Sequence, residues 1–148
     1  MALEMTGDFQ LSASRESVWE KLNDPDVLKA CIPGCEELEK LPDGGFRASA
    51  RMRVGPVSAR FKGRVSLSDL DPPSSYRITG EGEGGVAGFA KGSAVVTLTE
   101  AGGGTRLHYS VEAQIGGKLA QLGQRLISGT AKKLADEFFT KFAGAVEG

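Results

Sequence analysis

The sequence predicts an α+β protein in which a curled antiparallel sheet of about six to seven strands surrounds a long C-terminal helix. Two observations lead to this fold class. Apolar and polar residues alternate in successive segments between residues 2 and 115, as in strands that bury one face. After Gly117 the apolar period becomes helical and stays helical to the end of the chain. Since no linker or repeat interrupts the 148 residues, one domain over residues 1–148 is expected.

The first third of the chain predicts one strand followed by two short helices. Residues 2–11, ALEMTGDFQL, alternate between apolar and polar side chains. SRESVWEKL follows as a helix that Ser14 can cap, and DPDVLKACI follows as a second helix with Asp at its N-cap and Pro at its first position. Pro33 and Gly34 end this second helix and turn the chain into the sheet.

Period-two alternation predicts the remaining strands. The segments are FRASARMRV, VSARFKGRVSL, YRITGEGE, FAKGSAVVTLTE and RLHYSVEAQI. Gly55 and Pro56 form a tight turn between the first two segments, and AGGGT joins the last two as a hairpin. Four glycines inside these strands suit bulges and sharp bends of the sheet. They are Gly63, Gly80, Gly82 and Gly92.

A single C-terminal helix cannot cover such a sheet if the sheet stays flat. We expect one continuous helix of roughly 28 residues after Gly117, about 10 Å wide, whereas six strands span about 28 Å. The sheet therefore has to curl around the helix, which gives a helix-grip fold with space between the two layers. We expect an apolar cavity that binds a hydrophobic ligand, and a solid core is the alternative.

Eight inward positions on the strands and the helix are the candidate lining of this cavity. Tyr109 is the one that offers a hydroxyl to orient the polar end of a ligand. The candidates are Phe46, Met52, Phe61, Val65, Ile78, Tyr109, Leu122 and Leu126. The turn at residues 55–56 and the loop at residues 84–88 are placed to gate the mouth.

Composition and charge exclude several classes of function. The formal net charge of −1 gives no bulk attraction to nucleic acid or to an anionic membrane. The segment MALEMTGDFQ lacks the basic start and apolar core of a signal peptide. No apolar run approaches the roughly 20 residues that span a bilayer. We therefore expect a cytoplasmic protein that binds no nucleic acid.

The two cysteines lie in KACIPGCEEL with a C-x-x-x-C spacing that suits a redox pair, a disulfide or half of a metal site. Pro33 and Gly34 between them make a continuous helix there unfavourable. Zinc sites usually need four Cys or His ligands, and the only histidine, His108, lies on a distant strand. We therefore favour interior packing of Cys31 and Cys35, with no metal and no cofactor, over the redox and metal alternatives.

No set of residues predicts a catalytic site. His108 lies between Leu107 and Tyr109, so it faces outward, and neither a second histidine nor a nearby nucleophile is identified. The segment GEGEGGVAGFAKG contains G-x-G-x-x-A, but no helix follows to hold a pyrophosphate at its N-terminus. A loop at the cavity mouth, or a bulged strand, is the better interpretation of that segment.

A basic stripe is predicted on the outer face of two adjacent strands. Its members are Arg47, Arg51, Arg53, Arg60, Lys62 and Arg64. A stripe of this kind is usually a solvated face. Arg51, Arg60 and Arg64 are nevertheless the candidate surface for an acidic partner or for anionic lipid headgroups. Since no aromatic residues interleave with the stripe, single-stranded nucleic acid is not an expected partner.

Several motifs give the sequence a resemblance to a known family. The segments SRESVWEKLNDPDVLKACIPGCEELEK, VGPVSARFKGRVSLSDLDPP and GTRLHYSVEAQIGGKLAQLGQRLI, followed by FF, resemble the CoxG family of carbon monoxide dehydrogenase. That family belongs to the START and birch-allergen-like (SRPBCC) superfamily of helix-grip proteins. The resemblance extends over almost the whole chain, and IPGC, VGPV, F-x-G and GTRL-x-Y are its most specific motifs.

The resemblance implies a nonenzymatic accessory protein of a molybdenum hydroxylase of the carbon monoxide dehydrogenase type. It also implies a hydrophobic ligand, a lipid or a quinone, and a role in membrane recruitment or electron hand-off, with peripheral contact at the inner membrane face. One alternative is an interaction adaptor with a solid core that docks through the basic stripe. A small enzyme is a third hypothesis, since helix-grip relatives include cyclases and hydrolases, but no acid–base pair supports it.

Overall fold

One antiparallel sheet and one long helix make up most of the fold. The computed structural model describes residues 1–147. Its seven strands are β1 (Ala2–Leu11), β2 (Cys35–Lys40), β3 (Phe46–Val54), β4 (Val57–Asp71), β5 (Ser75–Glu83), β6 (Phe89–Ala101) and β7 (Gly104–Gly116). The helices are α1 (Arg15–Leu22), α2 (Pro25–Cys31), α3 (Lys118–Gln121) and α4 (Gln124–Glu147), with a 3₁₀ turn at Gly85–Ala87. The predicted α+β class, with two short helices after the first strand, is confirmed.

The sheet wraps around α4. Its strand order is β1-β7-β6-β5-β4-β3-β2, so β1 and β2 are its two edges and the sheet is not closed. Helix α4 contacts β1 at one edge and β3 beside the other edge, while α2 packs against both β2 and α4. One helix can reach both sides of a seven-stranded sheet only if the sheet curves around it. This arrangement is the predicted helix-grip fold.

The period-two pattern of the sequence becomes the inner and outer faces of the sheet. Along β4, partly buried inner positions alternate with exposed outer ones from Val57 to Ser68. The register sets Gly63 opposite Gly82 and Gly80 opposite Gly92. These paired glycines therefore leave part of the inner face of β4, β5 and β6 without side chains. A Cβ at Gly92 would overlap the backbone carbonyl of Glu112, because β6 and β7 approach closely there.

The C-terminal helical region is broken into two helices. The expectation of one continuous helix is wrong, since α3 ends at Gln121 and α4 begins at Gln124. Gly123 lies between them with a φ of +91°, a left-handed conformation that glycine adopts at little steric cost. Its carbonyl accepts a hydrogen bond from the backbone N–H of Ile127 at 3.1 Å, in the first turn of α4.

Side-chain caps fix the two short helices where the sequence predicts them. The Ser14 hydroxyl accepts from the backbone N–H of Ser17 at 3.2 Å, and the Asp24 carboxylate accepts from that of Asp26 at 2.9 Å. Helix α2 ends at Cys31, and the chain then turns into β2 through Gly34, whose φ is +72°. Helix α1 is thereby placed against β6, β7 and α4.

The buried core is divided into two clusters near opposite ends of α4. The first cluster surrounds Phe142 and joins α1 and α2 to the sheet; the second surrounds Ile127 and joins α3 to the sheet. The first cluster consists of Leu11, Val18, Leu22, Cys31, Tyr76, Val96, Leu98, Leu107, Tyr109 and Phe142. The second cluster consists of Leu3, Val54, Ile115, Leu119 and Ile127.

Candidate functional site

A cavity of about 610 Å³ lies between the sheet and the helices. Inward residues of β3 to β7 form one wall, and Leu22, Leu28, Phe138 and Phe139 contribute from the helices. Some lining residues pack against the first core cluster and others against the second, so the cavity extends between the two. Its volume falls within the roughly 300–1,000 Å³ that is usual for small-molecule sites.

Inner side chains of the middle strands remain accessible although they point away from bulk solvent. Phe61, Val65 and Leu67 on β4 are only partly buried. Leu11 and Leu98, in the first core cluster and outside the lining, are each 1% exposed. The difference arises because α4 contacts the flanking strands and packs on the core clusters, while the middle strands face the cavity.

Five of the eight predicted lining residues are brought together at the cavity. They are Phe46, Met52, Phe61, Val65 and Ile78, all on β3, β4 and β5. Alternation along these strands was enough to select them, because many inner positions of these strands face the cavity, although Val54, Val57 and Ala59 do not line it. Their role in binding a ligand stays a prediction.

Tyr109 is not part of the cavity lining. It faces inward on β7, but its ring packs beside the stacked rings of Phe9 and Phe139, with ring centroids 6.3 Å and 5.7 Å away. The ring and hydroxyl lie over Gly7 of β1, where a Cβ would overlap them. Burial raises the pKa of Tyr109 above its ordinary value. This tyrosine therefore fills the core at the position where we expected it to orient a ligand.

Leu122 and Leu126 also lie outside the lining, because the break at Gly123 changes the course of the helical region. Leu122 packs against the second core cluster. Leu126 is 37% exposed and approaches Gly55 in the turn between β3 and β4.

Several lining residues were missed by the sequence analysis. Tyr76 lies two positions before Ile78 on β5, so the same alternation places it on the inner face of the sheet. Phe138 belongs to the apolar stripe of α4, and Phe139 is its neighbour in the chain. Leu28, Ile32 and Leu38 could not have been found from periodicity, because only the docking of α2 and β2 brings them to the cavity.

The side chains that face the cavity are uncharged. Five charged residues border it through their backbone positions, but they alternate with the inward residues and are exposed on the outer face. They are Lys62, Arg64, Glu81, Lys91 and Glu112. An ionised ligand would meet no counter-charge in this interior, which makes its desolvation costly. The geometry therefore suits an uncharged hydrophobic molecule.

Carboxylates on the neighbouring strand and loop neutralise much of the basic stripe. Arg60 pairs with Glu36 at 2.7 Å, and the Arg60 guanidinium lowers the pKa of that carboxyl. Arg47 pairs with Glu39 at 3.0 Å, and Arg64 lies 3.7 Å from Asp43. Within residues 1–147, no ion pair is found for Arg51. As a partner surface, Arg51, Arg60 and Arg64 remain a prediction.

The cysteines are separated by the turn that ends α2. Cys31 is buried in the first core cluster and Cys35 is partly buried on β2, and neither forms a disulfide. Burial raises the pKa of both thiols, which favours the less reactive protonated form. No group of three or more Cys, His, Asp or Glu that could hold a metal is found in the described part of the chain.

The histidine faces solvent, as its position on the strand predicts. His108 Nδ1 lies 2.9 Å from the Asp8 carboxylate, which Arg106 also contacts at 3.2 Å. Hydrogen bonds from His108 and Arg106 lower the pKa of Asp8. This cluster lies on the outer face of β1 and β7, away from the cavity.

Within residues 1–147, no helix has the length and apolar character needed to cross a membrane.

Solved structures of other proteins share this fold. Among solved structures, a conserved protein from Geobacillus kaustophilus is 34% identical, with a TM-score of 0.92 over 98% of this chain and 95% of that chain. A START superfamily protein from Mycobacterium smegmatis is 14% identical, with a TM-score of 0.72 over 97% of each chain. Ara h 8.0201 is 13% identical, with a TM-score of 0.69 over 99% of this chain and 98% of that chain.

The two more distant structures show the fold alone, which is the START and birch-allergen-like fold that the resemblance implies. No curated protein matches the sequence. The model of the CoxG family, which is named for a subunit of carbon monoxide dehydrogenase, matches residues 7–147, nearly the whole chain. On this match, the chain belongs to the CoxG family of carbon monoxide dehydrogenase.

Proposed function

We propose that this protein is a nonenzymatic carrier that binds an uncharged hydrophobic molecule, of the lipid or quinone class, in the cavity between its sheet and helices. The observation that carries the proposal is the cavity of about 610 Å³ with its apolar inner surface. A well-formed apolar pocket of this size is the usual form of a small-molecule site. START-like and CoxG proteins are generally ligand-binding rather than catalytic, which supports the same function.

The chemistry of the lining defines the class of ligand. Alanine, leucine, isoleucine, valine and phenylalanine make up most of the inward side chains. Each apolar contact removes hydrocarbon surface from water, which stabilises a complex by roughly 25 cal/mol per Å² of buried apolar area. A carboxylate or phosphate inside the cavity would lose its hydration without gaining a cation. Neutral molecules with a large apolar part are therefore favoured over fatty acids and phospholipid headgroups.

The proposed place of the carrier in the cell rests on its family. Since the CoxG family is named for a subunit of carbon monoxide dehydrogenase, we propose service to a molybdenum hydroxylase of that type. A carrier of quinones or lipids would act in the cytoplasm and at the inner membrane face, exchanging its cargo there. Membrane recruitment of the enzyme and electron hand-off are the two forms this service can take.

Native mass spectrometry of the protein purified from its host tests the proposal. We expect a population with a bound neutral molecule that organic extraction removes, and re-uptake when the extracted protein is mixed with host lipids and quinones. A protein that is isolated without any adduct and also takes up neither lipids nor quinones would overturn the carrier function.

An adaptor that docks an enzyme through the basic stripe is the alternative function. Three members of the stripe favour it, Arg51, Arg53 and Lys62, because no ion pair is found for them within residues 1–147. Reversal of charge at Arg51, Arg60 and Arg64 together is the test. Loss of enzyme binding with intact ligand uptake would support docking through the stripe, whereas unchanged enzyme binding would contradict it.

A further inference from the structure

A tyrosine in the cavity wall has a hydroxyl with no hydrogen-bond partner among the described residues 1–147. Tyr76 lines the cavity from β5 and is 4% exposed. No hydrogen bond of its hydroxyl is found within the described residues 1–147. Among the described residues, the one fully buried side-chain nitrogen or oxygen without a hydrogen bond is Nε of Arg15. The Tyr76 hydroxyl also has no hydrogen bond, so it is not fully buried and keeps some accessible surface. Because Tyr76 lines the cavity, this remaining surface is placed to meet a ligand there.

The Tyr76 ring is held in one orientation by the core around it. Trp19 of α1 contacts it edge to face, with ring centroids 5.1 Å apart and an interplanar angle of 75°. Leu22 of α1 lines the same end of the cavity. A partner that binds the hydroxyl would therefore find it preorganised beneath α1, and the opposite end of the cavity, near Phe61 and Ala90, would receive the apolar part.

No other polar side chain of the lining competes for this role within the described residues. Ser93 borders the cavity, but its hydroxyl accepts a hydrogen bond from Nη1 of Arg77, which is exposed on the outer face. The charged residues that border the cavity also face outward. Burial raises the pKa of Tyr76, so the phenol stays protonated at neutral pH and acts as a donor.

We propose that the Tyr76 hydroxyl donates a hydrogen bond to an uncharged oxygen acceptor of the ligand, a carbonyl in particular, and thereby fixes the ligand's polar end beneath α1. The inference rests on the proposed function, because it requires a ligand in the cavity. It adds a specificity determinant: among apolar molecules of similar size, those with a carbonyl at one end bind more tightly than pure hydrocarbons.

A matched pair of probes and a matched pair of variants test this assignment. The probes are 2-methyl-1,4-naphthoquinone, which has carbonyl acceptors, and 2-methylnaphthalene, which has none. Tyr76→Phe removes one oxygen and keeps the ring, while Tyr109→Phe makes the same change at the chain's other tyrosine, outside the cavity. Equilibrium dialysis gives the affinity of wild type and both variants for each probe.

We expect Tyr76→Phe to weaken binding of the naphthoquinone about 2- to 13-fold, the range of one hydrogen bond. Affinity for methylnaphthalene should stay unchanged, which also shows that the variant is folded and its cavity intact. Tyr109→Phe should leave both affinities unchanged.

Two results overturn the role of Tyr76 while leaving the carrier function standing. One is a Tyr76→Phe protein that binds the naphthoquinone as tightly as wild type does. The other is an equal loss of affinity for both probes, which would show that the hydroxyl acts through packing. If wild type binds neither probe, both the role of Tyr76 and the carrier function are refuted.

Discussion

Enlarging one inward alanine distinguishes a cavity from a solid core. Ala94 lies on β6, directly opposite Ile78 on one side and Val111 on the other, and all three line the cavity. Replacing Ala94 by Leu places three more carbon atoms on this inner surface. If the surface borders a cavity, the new side chain enters it without displacing its neighbours.

The magnitude follows from the area removed from water. Burial of a methylene group contributes about 0.8 kcal/mol, so Ala94→Leu stabilises the ligand-free protein by up to about 2 kcal/mol. In a protein of 148 residues, 1 kcal/mol corresponds to a rise of roughly 2–4 °C in Tm. In a filled core the same enlargement would instead cost about 1–3 kcal/mol. The sign of the change therefore decides between the two interiors.

Urea unfolding of the ligand-free protein measures the effect, and Val18→Phe is the control. Val18 is fully buried in the first core cluster and does not line the cavity, so its enlargement should destabilise the protein by about 1–3 kcal/mol. Ala94→Leu should also weaken binding of 2-methylnaphthalene, because it occupies part of the same space. Destabilisation by Ala94→Leu to the extent seen for Val18→Phe would refute the cavity.

Three further predictions concern helix α4, a buried hydrogen bond and an exposed carboxylate. Gly129→Ala, inside α4 where a Cβ meets nothing within 4 Å, should raise the free energy of unfolding by about 0.5–1 kcal/mol; a decrease in urea unfolding would contradict the placement. Thr105→Val removes the 2.6 Å hydrogen bond to the carbonyl of Ala13 and should cost about 1–3 kcal/mol in the same assay, whereas an unchanged midpoint would refute the bond. The folded-state pKa of Asp8 lies below 3.8, so its ionised form favours folding above that pH and the contribution is lost as pH falls through the lowered value. Asp8→Asn should therefore be less stable than wild type at neutral pH and converge with it in acid; a difference that does not change with pH would argue against the Asp8 assignment.

Alternation along the strands was sufficient to predict the fold class and the inward positions of β3, β4 and β5. A strand has only two faces, so once one face is apolar the inward residues are fixed. Phe61 and Val65 were found in this way. The family motifs, which cover nearly the whole chain, independently supported the same architecture.

Which of the inward residues along a strand border the cavity was harder to predict than which face of the strand is inward. Tyr109 and Tyr76 both point inward, but only the docking of α1 and α4 decides which of them borders the cavity. Periodicity contains no information on how far a helix extends over a sheet. For the same reason, Leu122 and Leu126 were misplaced: their apolar spacing fits one helix, but Gly123 divides it.

Methyl NMR of the protein with 2-methyl-1,4-naphthoquinone tests the central claim most directly. A bound aromatic molecule shifts the resonances of methyl groups that it contacts. We predict large changes at Val65, Ile78 and Val111, which line the cavity, and little change at Val18, which does not. Absence of any shift at saturating probe, or shifts confined to residues outside the lining, would contradict a ligand-binding cavity between the sheet and the helices.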